Sequence, residues 1–184
     1  MLVSSSLAEN EKDHNWIEQH LVQSTRYEEQ EGFNPVEVNF DDKIHLVGMK
    51  TWSRVYKRGK KLKLSFYFRV KGAVTKSYKV FVHVDKPGGA NRIGGDHWVL
   101  NLPGNEKEKN CTGCFRSDHW MVGDVVEDTF EAEIPVAAGV GPHSVWMGLY
   151  EPGGGKRMKV KGFDKKTVKH DGGDRVNVGT VTVM

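Results

Sequence analysis

From residue 36 onward, apolar and polar side chains alternate. VEVNF (36–40), KIHLVGMKTW (43–52), KLKLSFYFRV (61–70), SYKVFVHVD (77–85), HWVLNL (97–102), VVEDTFEAEI (125–134), HSVWMGLYE (143–151), KRMKVKGF (156–163) and DRVNVGTVTV (174–183) each carry a period close to two. That period belongs to strands buried on one side. The intervening KRGKK, KGAVTK, DKPGGANRIGG, PVAAGVGP, EPGGGK and HDGGD are built from turn residues. Strand signals spaced about 8 to 12 residues apart and broken by such turns predict an all-β sandwich or barrel. No helical pattern of roughly 10 to 15 residues separates the strands, which excludes a parallel βαβ order, and no fixed-period repeat points to a propeller or solenoid. We expect about seven to nine strands over 36–183.

The alternation also assigns faces. Leu62, Leu64, Phe66, Phe68 and Val70 share one side of their segment, and Lys61, Lys63, Ser65, Tyr67 and Arg69 the other. In 77–85, Tyr78, Val80, Val82 and Val84 oppose Lys79, Phe81, His83 and Asp85; in 143–151, Val145, Met147 and Leu149 oppose Trp146, Gly148 and Tyr150. The expected core therefore includes Leu64, Phe66, Phe68, Val80, Val82, Val145, Met147 and Leu149. Large aromatics on both sides of two segments leave two readings: a loop or helix covers the second side, or that side is a shallow aromatic binding surface formed by Phe81, His83, Trp146 and Tyr150. The acids of VVEDTFEAE read as a solvated strand face, without support as a glycosidase pair.

Ahead of the strands, residues 1–11 are polar and serine-rich, a flexible lead. Trp16, Ile17, His20, Leu21 and Ser24 fall at helical intervals after Asp13, a fitting N-cap, and predict one short helix within 12–31. The domain division is thus 1–35 for the lead and helix, and 36–184 for the sandwich. The helix would cover an open part of the domain or dock a partner.

Composition narrows the classes. The chain has 184 residues, enough for one domain with a substantial core. No apolar run reaches the roughly 18 to 20 residues needed to span a bilayer. Net charge is +3 with scattered lysines, which gives no footprint for nucleic acid. The N-terminus lacks the apolar stretch of a signal peptide, so the chain is either intracellular or an exported product from which a signal, and with it a lipid anchor, was removed. No nucleophile elbow, phosphate loop or H-E-x-x-H occurs, and EPGGGK, joining two strands, reads as a hairpin loop.

Cys111 and Cys114 are the only cysteines, within KNCTGCFRSDHW. Covalent haem attachment needs histidine directly after the second cysteine, where Phe115 stands. A redox C-x-x-C needs a helix N-terminus, which this glycine-rich context does not supply. Zinc stays open: Cys111, Cys114 and His119, completed by His97 or Asp96, would make a tetrahedral set, although no second C-x-x-C or H-x3-5-H accompanies them. Asp96-His97 and Asp118-His119 flank the loop, and either pair would equally serve to hydrogen-bond its base.

The segment order, with VGMKTWSRVYKRGKKLKLSFYFRV, YKVFVHVD, RIGGDHWVL, HWMVGDVVEDTFEAEIPVAAGVGPHSVWMGLYEPGGGKRMKV and DRVNVGTVTV in succession, resembles an immunoglobulin-like β-sandwich module of bacterial envelope and secreted proteins. Such modules occur at the C-termini of membrane glycosyltransferase-like proteins and in lipoproteins of gliding or predatory bacteria. The resemblance spans about residues 44–183. It implies an immunoglobulin-like antiparallel β-sandwich, preceded here by the short helix. The sequence departs from the pattern between His97 and His119, where NLPGNEKEKNCTGC expands a short connection. Trp120, just after it, is of a size to plug the end of a sandwich.

An envelope location implies an oxidising compartment. There Cys111 and Cys114 would form a local disulfide, since Gly113 tolerates a turn bringing the Cβ atoms to about 3.8 Å. The resulting expectation is a non-catalytic binding or structural module, periplasmic, outer-membrane associated or secreted, without a cofactor. It would contact a protein or a glycan through Phe81, His83, Trp146 and Tyr150 and through Phe115 and Trp120 of the cysteine loop. The alternative is a zinc-binding, hydrolase-like domain using the cysteine cluster.

Overall fold

The computed structural model describes residues 24–86, 88, 92–99 and 116–184. These form a β-sandwich of eleven strands: β1 (Phe33–Phe40), β2 (Ile44–Thr51), β3 (Val55–Tyr56), β4 (Lys61–Val70), β5 (Lys79–Asp85), β6 (Ile93–Trp98), β7 (Val125–Glu133), β8 (Gly141–Tyr150), β9 (Val160–Phe163), β10 (Lys169–His170) and β11 (Val176–Val183). One sheet has the order β7-β4-β2-β1-β9; the other runs β10-β11-β8-β5-β6, with β3 beside β11. All pairings are antiparallel except β3 with β11. The expected strands are present, and β3 and β10, two residues each, are too short to carry a period. One strand is displaced: β6 begins at Ile93, not at His97, because Gly94 and Gly95 belong to the strand. A Cβ on Gly94 would lie 2.5 Å from the Val82 carbonyl oxygen of β5, so this close pairing needs glycine.

The inward faces follow the alternation. Leu62, Leu64, Phe66, Phe68 and Val70 of β4 meet Val80, Val82 and Val84 of β5 and Val145, Met147 and Leu149 of β8 in one continuous core, every one at most 1% exposed. Each large side chain so buried contributes about 1.5 to 3 kcal/mol.

Tyr67 shows how the outer side of β4 is closed. It points away from the core yet has no exposed surface. A 3₁₀ helix at Ser24–Glu29 lies over it, stacking Tyr27 at 5.2 Å while Phe33 packs edge-on at 5.7 Å. The Tyr67 hydroxyl sits 3.0 Å from both Glu127 Oε1 and Gln30 Oε1, and burial, followed by the Glu127 charge, raises its pKa. For this sheet, covering by the segment before β1 is the reading that holds. The rest of the helix expected over 12–31 lies outside the described residues.

Of the β7 acids, Glu131 and Glu133 are on the expected solvated face, and Glu127 and Asp128 depart from it. Asp128 stands opposite inward Phe66 and is 1% exposed, and outward Glu127 is 8% exposed beneath Tyr67. A carboxylate at a core position needs a partner from elsewhere in the fold. His97 of β6 supplies it, with Nε2 2.8 Å from Asp128 Oδ2.

Candidate functional site

The outer side of the second sheet is where four of the expected binding residues meet. Register puts Phe81 of β5 between Gly148 of β8 and Asp96 of β6, and His83 between Trp146 and Gly94. Tyr150 and Trp98 flank Lys79 in the next row. The Phe81 ring lies 5.3 Å from His83 and 6.2 Å from Tyr150. Gly148 is what lets Phe81 lie down: a Cβ there would be 2.5 Å from Phe81 Cζ and 2.9 Å from the Asp174 carbonyl oxygen. Among the described residues, this is the outer surface where aromatic rings from adjacent strands form a band with exposed polar groups around it.

Two arginines cap the band. Arg157 lies 4.8 Å over the Phe81 ring and Arg175 4.5 Å over Trp146, both at cation–π distance. The EPGGGK loop places the first: β8 ends, the chain turns through Gly153 to Gly155, and Arg157 returns to bridge Tyr150. Its Nη1 donates to the Gly173 carbonyl at 2.6 Å. Arg175 donates through Nε to Asp171 Oδ2 at 2.7 Å and has Nη1 3.9 Å from Asp85 Oδ2. As a result Phe81 is only 4% exposed, while His83, Trp146 and Tyr150 are half-buried.

The Tyr150 hydroxyl donates to Asp96 Oδ2 at 2.9 Å. Burial, then this bond and the Asp96 charge, push its pKa up to about 12, so it stays a donor throughout the physiological range. Burial, aided by the Arg92 charge, lowers the pKa of His83, which is neutral at pH 7. The band thus offers a hydroxyl, an exposed carboxylate, a neutral imidazole and guanidinium edges over aromatic carbon.

The remaining expected residues are placed elsewhere. Trp120 is in the core, 5% exposed, its ring 6.2 Å from Phe68; it plugs the sandwich and is not on a contact surface. Asp96 and His97 are adjacent in β6 and point to opposite sides of the sheet, one to Tyr150 and the other to Asp128. His119 Nε2 lies 3.9 Å from Asp118 Oδ1, and Asp118 accepts from the Ser77 hydroxyl at 2.6 Å. Among the described residues no three metal-capable side chains converge. Cys111, Cys114 and Phe115 lie outside the described residues. Arg157 and Arg175 are site residues that the alternation did not find. A partial signal existed: a hairpin at EPGGGK returns the chain alongside Tyr150, but which ring Arg157 would cover depends on Gly148.

A cleft of about 540 Å³ elsewhere, between β1, β2 and β11, is lined by Val36, Met49, Val178 and Val181 among others, with Arg54 the charged side chain on its border. Its polar lining is Asn34, Thr51, Ser53, Thr167 and Thr180, and unlike the band it contains no aromatic ring.

No protein-family model and no curated protein matches the chain. Among solved structures, it is similar to the C-terminal domain of wzt (11% identity, TM-score 0.47, over 86% of this chain and 84% of that one). It is also similar to the CARDB domain of a Pyrococcus furiosus protein (11% identity, TM-score 0.32, over 84% and 90%). A third similarity is to the Pseudomonas fluorescens alkylpurine DNA glycosylase AlkC (14% identity, TM-score 0.42), over 79% of this chain and 31% of that one. No helix among the described residues is long and apolar enough to cross a membrane.

Proposed function

We propose that this chain is a non-catalytic glycan-binding module of a bacterial envelope or secreted protein, and that the outer side of β5, β6 and β8 is its binding surface. The observation that carries the reading is the convergence of Phe81, His83, Trp146 and Tyr150 on one side of the sheet, bordered by exposed Asp96 and Arg157. Sugars present C–H faces that stack on aromatic rings and hydroxyls that need paired donors and acceptors; the half-buried Trp146 and Tyr150 offer the first, and Asp96, the Tyr150 hydroxyl and the arginines the second. The immunoglobulin-like envelope resemblance of residues 44–183 supports the location, and a local Cys111–Cys114 disulfide would suit it.

The test is retention on immobilised polysaccharides and a glycan array, comparing the full chain with Trp146→Ala and Tyr150→Ala. Alanine at a stacking position should weaken retention roughly tenfold or more. Retention that is unchanged in both variants places the surface elsewhere; capture of a polypeptide alone makes the partner a protein.

A further inference from the structure

Two arginines lie flat on aromatic rings of the same surface, but their charges are not equally compensated. Arg175 has Asp171 at 2.7 Å and Asp85 at 3.9 Å. Arg157 has no carboxylate within ion-pair range among the described residues; its one acceptor is the neutral Gly173 carbonyl. The neighbouring acids are already engaged. Asp174 is 2.7 Å from Lys159, and Asp85 is 2.8 Å from Arg92. Lys79, next along β5, lies 5.5 Å over Trp98 and likewise has no carboxylate partner among the described residues. Opposite them, Asp96 is exposed and receives the Tyr150 hydroxyl, leaving acceptor capacity on the carboxylate.

Resting on the glycan-binding reading, we infer that the ligand is an acidic sugar, which places its anionic group on the Arg157 guanidinium and a hydroxyl on Asp96. The stack on Phe81 and the bond to Gly173 fix the guanidinium plane before anything binds. A pre-oriented fork loses little side-chain entropy when it grips a planar anion in two bonds. Phe81, beneath Arg157, pairs directly with Asp96 of β6, so donor and acceptor border the same ring. A neutral sugar would leave the cation uncompensated, and a polyanion without hydroxyls would meet Asp96 with like charge. The shared chemistry is a sugar ring bearing carboxylate, phosphate or sulfate.

The experiment is a glycan array holding uronic-acid, phosphorylated, sulfated and neutral oligosaccharides, read with the full chain, Arg157→Gln and Arg175→Gln. Each acidic hit is followed by calorimetry and, for uronic acids, by comparison with its methyl ester. Acidic hits are expected, weakened roughly 10- to 100-fold by Arg157→Gln and by esterification. They should also weaken with added salt. Arg157 is exposed, and an unchanged thermal midpoint in Arg157→Gln certifies its fold. Retention of neutral glycans only, or acidic hits indifferent to Arg157→Gln, overturns this inference and leaves glycan binding standing. An array with no hit overturns both. Stronger loss in Arg175→Gln than in Arg157→Gln assigns the anion to the wrong arginine and also overturns it.

Discussion

Replacing His97 by leucine leaves Asp128 in a space built for an ion pair, and the cost follows from the geometry. His97 Nε2 is 2.8 Å from Asp128 Oδ2, with side chains 16% and 1% exposed. The pair links β6 of one sheet to β7 of the other. Breaking such a pair by removing one partner typically costs about 3 to 5 kcal/mol, because the survivor stays buried. At about 2 to 4 °C per kcal/mol for a domain of this size, His97→Leu should lower the thermal midpoint by roughly 6 to 20 °C. The double variant His97→Leu/Asp128→Leu should recover most of that loss. The Phe130 ring, 5.7 Å from His97, offers apolar packing to the replacements. pH gives a second readout. Burial pulls the His97 pKa down, but the Asp128 charge and hydrogen bond, with Asp96 behind them, outweigh it and raise the value. A raised histidine pKa means that the folded protein holds a proton the unfolded chain releases. The contribution is therefore complete below about pH 6.5 and is lost as pH rises through the folded value. His45 and His83 are shifted downward, chiefly by burial, and work in the opposite sense below pH 6.5. The informative quantity is thus the difference between parent and variant in urea titrations from pH 5 to about pH 9. Additive single-variant losses, or a parent–variant difference that does not fall with rising pH, would refute the coupling.

Other expectations are more local. Phe66→Ala removes a fully buried ring of β4 and should cost about 3 to 5 kcal/mol in chemical denaturation; an unchanged midpoint means its face is assigned backwards. Gly148→Ala drives a Cβ toward Phe81 and the Asp174 backbone, so we expect about 1 to 3 kcal/mol of destabilisation together with weaker glycan retention. Parent-like behaviour in both measurements argues against the close approach. Mass analysis without reductant, on protein produced in an oxidising compartment, should find no free thiol at Cys111 and Cys114. Two thiols with one equivalent of zinc would favour the metal alternative.

The period-two pattern by itself determined the fold class and most inward faces. β4 needed no further information, since Leu62 to Val70 alternate without interruption and side-chain direction in a strand is fixed by parity. Parity also put Phe81 with His83, and Trp146 with Tyr150, on one side of each strand; that the two pairs share one surface follows from the direct pairing of β5 with β8. What parity cannot specify is what lies over a strand's second side. Tyr67 and Phe81 read alike, yet Tyr67 is closed by the Tyr27 helix and Phe81 by a single arginine. Asp128 looked solvated because its partner, His97, is 31 residues away and in the opposite sheet. Gly94 read as a turn because the backbone approach that requires glycine exists only once β6 lies against β5. The uncompensated charge of Arg157 belongs to the same class. Its carboxylate-free surroundings are set by three-dimensional neighbours, unlike the Arg175–Asp171 pair, whose partners stand four residues apart in sequence.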